Sequence, residues 1–117
     1  MNIINIIFAL LSIGIGAISW LNPKFAMSSL SLGNLDGRTM GQSEVRASAG
    51  ALFVGMGIGA LLLGSPSAYV MLGFCWLGAA IGRLTSILLD GSDRQKVTFF
   101  VVEAAVGLPA ILLNWST

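Results

Sequence analysis

Histidine is absent from this chain of 117 residues, cysteine occurs once, and charged residues make up only 9% of it. Without histidine the chain lacks the commonest metal and haem ligand and the usual general base near neutral pH. The single thiol, Cys75, can form neither an internal disulfide nor a CxxC redox pair, and it reads as a small buried hydrophobe. Five acids without His or Cys partners do not assemble a transition-metal site, so neither a metal nor a cofactor is expected. Soluble domains carry about a quarter charged residues, and this chain has too few to clothe a water-facing surface. Its net charge of +1 offers no basic face for nucleic acid.

What is present is apolar: 56% of residues are hydrophobic, and the mean hydropathy is +0.89. That excludes a disordered chain and leaves an integral membrane protein. Four apolar runs follow one another, at about 3–21, 47–63, 68–89 and 97–115. At 1.5 Å per residue each matches a hydrocarbon core of roughly 30 Å. The expected fold is all-α, a four-transmembrane-helix bundle formed by one multi-pass membrane domain over the whole chain.

The punctuation between the runs agrees. Gly64-Ser65-Pro66-Ser67 combines a terminating glycine, an N-cap serine and a proline at the first helical position. Asn22-Pro23 ends span one and opens a short interfacial helix through Phe25, Met27 and Leu30. Residues 31–42 read as loop, with a turn at Asp36-Gly37. Ser43 with Glu44 is the expected start of span two, and Ser92 with Gln95 has capping-box spacing for span four. Pro109 is expected to kink span four. Ala17-Ile18-Ser19 resembles a signal-peptide cleavage pattern, but no Lys or Arg precedes the apolar region, so span one is read as retained.

Lys24, Arg38, Arg94 and Lys96 all fall in loops one and three, with Arg46 and Arg83 toward the same ends of their spans. The positive-inside rule then puts loops one and three in the cytoplasm and both termini outside. The expected location is the bacterial inner membrane.

Gly55-Met56-Gly57-Ile58-Gly59 is not a dinucleotide fingerprint, since it lacks that spacing and a preceding strand. It reads as part of a small-residue stripe, Ala47, Ala51, Gly55 and Gly59, echoed by Gly78 and Gly82 in span three. Such stripes let helix backbones approach closely in lipid, within the bundle or against a second copy.

The charged residues are more informative. Arg83 and Glu103 each lie about six residues from the cytoplasmic end of adjacent antiparallel spans, hence at the same depth of roughly 9 Å. Asp90 follows Arg83 by seven residues on the same helical face, and Glu44 and Arg46 open span two. One reading is a buried Arg83–Glu103 pair that fixes helix register. A second is a polar pocket of Glu44, Arg46, Arg83, Asp90 and Glu103 that holds an anionic head group beside Thr85 and Ser86. A third is snorkelling of these side chains toward the surface.

Glu44-Val45-Arg46-Ala47, followed by Gly50 and Gly55-Met56-Gly57, resembles the span-two opening of a family of small bacterial membrane proteins. Gly82-Arg83-Leu84-Thr85-Ser86-Ile87-Leu88-Leu89-Asp90-Gly91 is similar to its span-three ending, and Glu103 to the acid of its last span. The family is catalogued as domain of unknown function 4345. The resemblance implies a four-helix fold and no particular activity.

Three functions fit these features. The first is a non-catalytic accessory or assembly subunit of a larger membrane complex, or a homo-oligomer, since the loops are small and glycine is abundant. The second is a binder or carrier of a lipid-like or anionic small molecule. The third is a small membrane enzyme with Glu103 or Glu44 as proton donor. Small multidrug exporters share the length but need a carboxylate in span one, which this span lacks.

Overall fold

A computed structural model describes residues 2–115, and among these the chain is helical with no strand. The helices are α1 (Ile3–Leu21), α2 (Pro23–Leu30), α3 (Met40–Glu44), α4 (Leu52–Leu63), α5 (Pro66–Leu89) and α6 (Arg94–Asn114). A π-helical segment, Val45–Ala51, joins α3 to α4. Four helices are thus long and apolar enough to cross a membrane: Ile3–Leu21, Met40–Leu63, Pro66–Asp90 and Arg94–Asn114. The chain divides into two compact units, Met1–Leu62 and Leu63–Thr117, each a helical hairpin.

In the first hairpin α1 runs antiparallel to the helix of residues 40–63. A Cβ on Gly16 would lie 2.6 Å from the Gly50 carbonyl oxygen, and one on Gly57 would lie 2.6 Å from that of Ala9. Only glycine permits so close an approach at both points. The π-helical turn coincides with the Gly50 contact, where an added Cβ would meet the Trp20 backbone nitrogen at 2.7 Å. The buried residues of α1 are Asn5, Ala9, Ser12, Gly16 and Ser19, spaced alternately by four and three. This is a heptad seam made of small and polar residues rather than large apolar ones.

The second hairpin repeats the device. Tyr69, Gly73, Trp76 and Ala80 on α5 and Glu103, Gly107, Ala110 and Asn114 on α6 are buried at the same spacing. A Cβ on Gly107 would fall 2.6 Å from the Leu77 nitrogen, and one on Gly73 would fall 2.9 Å from the Gly107 oxygen. Glycine therefore faces glycine in both hairpins.

The small-residue stripe expected from the sequence is not what packs either hairpin. Built Cβ atoms on Gly55, Gly59, Gly78 and Gly82 meet nothing within 4 Å, and Ala47 and Ala51 are exposed. The reason is geometric. Gly55 and Gly59 each stand two residues from Gly57, about 200° around the helix, and so point away from the face that meets α1. Gly50 and Gly57, seven apart, stay on the contact face.

Several boundaries also move. Helix starts at Met40, with Thr39 as cap residue, so Ser43 and Glu44 are helical rather than a cap and first turn. At α6 the cap is Asp93, whose carboxylate accepts from the Lys96 N–H, and not Ser92. Pro109 lies inside α6, as the sequence places it. Cys75 is exposed. Other expectations hold: Ser65 caps α5 with Pro66 behind it, Gly64 has φ +64° at the preceding turn, and α2 begins at Pro23. Asp36 and Gly37 both take positive φ, and Arg38 N–H donates to the Leu35 carbonyl across that turn.

Candidate functional site

The glycine contact of α5 and α6 sets the register that brings Arg83 to Glu103. Nε of Arg83 donates to Oε1 of Glu103 at 3.3 Å and Nη2 donates to Oε2 at 3.1 Å. This two-bond fork satisfies a carboxylate that would otherwise sit uncompensated within a membrane-spanning helix. The Glu103 side chain is 11% exposed, whereas 31% of the Arg83 side chain remains exposed. The guanidinium also lies over the Phe99 ring, 5.3 Å from its centroid. Phe99 precedes Glu103 by four residues on α6, so one helical face supplies both partners of the arginine. The four-residue spacing of Phe99 and Glu103 is the signal in the sequence that marks Phe99 as a partner of the arginine.

Within the same hairpin Asp90 does not join this pair. Asp90 accepts from the Ser86 hydroxyl at 3.0 Å, one turn back on its own helix. Below it Lys96 donates to the Gly91 carbonyl at 2.7 Å, tying α6 to the loop. In the first hairpin Glu44 accepts from the Ser48 hydroxyl at 2.6 Å. Arg46 reaches across to α1, where Nη1 donates to the Trp20 carbonyl at 2.7 Å. That carbonyl belongs to the last turn of α1, whose C=O groups lack helical partners, so Arg46 acts as a capping cation.

Two buried polar side chains elsewhere bond to their own helices. Ser12 donates to the Phe8 carbonyl and Asn114 to the Ala110 carbonyl. The Tyr69 hydroxyl is buried with no hydrogen-bond partner among the described residues. Near the start of α5, Ser67, Val70, Asn114 and Trp115 line a cavity of about 190 Å³. Among the described residues no three His, Cys, Asp or Glu side chains cluster as metal ligands would.

A family model described as "Domain of unknown function (DUF4345)" matches residues 1–114. The chain belongs to this family. The match covers both hairpins, so the Glu44–Arg46 segment and the Arg83–Glu103 pair both lie inside the domain. No curated protein and no solved structure matches the chain.

Proposed function

We propose that this DUF4345 protein is a non-catalytic membrane subunit that assembles with a larger membrane complex through its exposed helix faces. One observation carries the reading: four of its five acids are committed to local structure, leaving little for catalysis. Glu44 serves Ser48, Asp90 serves Ser86, Asp93 caps α6 and Glu103 pairs with Arg83. In contrast, Gly55, Gly59, Gly78 and Gly82 meet nothing, and small residues on open faces suit helix contacts in lipid. The distribution of all six bases supports a bacterial inner-membrane location with both termini outside.

The test is extraction in native lipid followed by mass spectrometry, comparing the unaltered chain with Gly55→Leu/Gly59→Leu. A protein partner kept by the former and lost by the latter, with hairpin stability unchanged, supports assembly. Identical recovery of a partner by both rules out these faces.

A second reading, a carrier of an anionic amphiphile, draws support from Arg83. Glu103 uses its Nε and Nη2 and leaves Nη1, on a side chain still 31% exposed. A co-purified anionic amphiphile lost in Arg83→Gln would favour it.

A further inference from the structure

Loop one, residues 22–39, carries several large apolar side chains that face outward. Phe25, Leu32 and Leu35 are exposed, Leu35 to 79%, and Met40 just beyond them is exposed as well. These residues are not on a loose excursion. On α2, Ala26 and Met27 pack against Val45, with Ala49 beside them, so the short helix folds back onto the first turns of span two. Beyond α2 the Leu32 N–H donates to the Met27 carbonyl, and Asn34 accepts from the Gln42 N–H at 2.8 Å. A Cβ on Gly41 would lie 2.7 Å from the Gly33 carbonyl oxygen, so the loop is pressed against the start of α3. A scaffold held at both ends therefore presents these apolar side chains outward.

The level of this scaffold follows from its neighbours. It connects the end of α1 at Leu21 to the start of span two at Met40, the ends of two helices long and apolar enough to cross a membrane. Trp20, partly exposed at the end of α1, is of the residue type that concentrates at the membrane boundary. Lys24 and Arg38 flank the apolar residues, against the single acid Asp36.

We propose that loop one is a foot that inserts Phe25, Leu32, Leu35 and Met40 into the interfacial layer and sets Lys24 and Arg38 against anionic lipid headgroups. Large apolar side chains leave water in this position, as in interfacial helices. The flanking bases gain from the negative surface potential, by about fivefold in local lipid preference for each base. The proposal depends on the helices spanning a membrane, and not on assembly with a larger complex.

The experiment places one spin label at a time on the full chain in a Cys75→Ser background, at Leu32→Cys, Leu35→Cys or Ser92→Cys. Native Cys75, labelled alone, supplies the embedded reference and Ser92→Cys the aqueous one. Collision with oxygen and with a nickel chelate is measured in phosphatidylcholine vesicles with and without phosphatidylglycerol. The Leu32 and Leu35 labels are expected to show oxygen-to-nickel ratios severalfold above that of Ser92. Phosphatidylglycerol should raise those ratios, and Lys24→Gln/Arg38→Gln should abolish that increase. Ratios equal to that of Ser92 would put the loop in water and overturn the proposal. Low collision with both reagents would mean that protein, such as a second copy, covers the loop, which also overturns it. Equal ratios in the two vesicle types would overturn the headgroup contact.

Discussion

Arg83 and Glu103, twenty residues apart in the chain, are joined by two hydrogen bonds, one from each of two guanidinium nitrogens. Their meeting depends on the glycine contact between α5 and α6, because Gly73 and Gly107 fix how far one helix slides along the other. Arg83→Leu should destabilise the protein by about 2–3 kcal/mol, because it strands a buried carboxylate. Glu103→Leu should cost about as much, and the double substitution should recover a substantial part of the loss. A double-mutant cycle on thermal unfolding in detergent measures this, and strict additivity would refute the pair as a stabilising unit.

The glycines divide sharply into those that carry a helix contact and those that do not. Gly107→Leu and Gly50→Leu should each cost about 3 kcal/mol or more, since the atoms an added Cβ would strike are backbone. Gly55→Leu and Gly59→Leu should leave thermal stability nearly unchanged, because their surroundings are open. Melting temperatures of the four variants in one detergent decide the matter, and similar losses in all four would contradict the heptad seam.

Helix α6 starts on a side-chain cap from Asp93 to the Lys96 N–H. Asp93→Ala should therefore lower stability by about 1 kcal/mol, with Ser92→Ala close to silent. Chemical denaturation of the two variants would reveal a reversed order if Ser92 were the true cap.

Arg46 reaches Trp20 from the other side of the first hairpin, supplying a charged donor to the final turn of α1. Replacing it in Arg46→Met keeps the apolar stem and removes the donor, which should cost about 1 kcal/mol. Hydrogen exchange is expected to accelerate at the end of α1 and not at its start; uniform protection would deny the capping role.

Topology can be checked independently of stability. A reporter fused after Thr117 should lie outside the cytoplasm, and one inserted between Gly91 and Ser92 should lie inside. Opposite labelling would show that the basic residues do not set orientation in this chain.

Four membrane-length helices were legible in the sequence because span length and hydropathy are local properties, set by roughly 20 apolar residues against a fixed bilayer thickness. Ser65-Pro66 and Asn22-Pro23 were legible for the same reason: a proline ring and a capping hydroxyl act within one turn. The equal depth of Arg83 and Glu103 could be counted along two helices joined by a short loop. Which glycines touch could not. Gly55 and Gly59 look like Gly50 and Gly57 in composition, and only the contact with α1 selects the pair seven residues apart. Nor does the sequence say that Arg46 spends its charge on the Trp20 carbonyl, or that Asp90 turns to Ser86, because both choices depend on which acceptors the fold brings within about 3 Å. The bilayer dictates where the chain must be helical, and backbone contact between paired helices decides which of its small and charged residues meet.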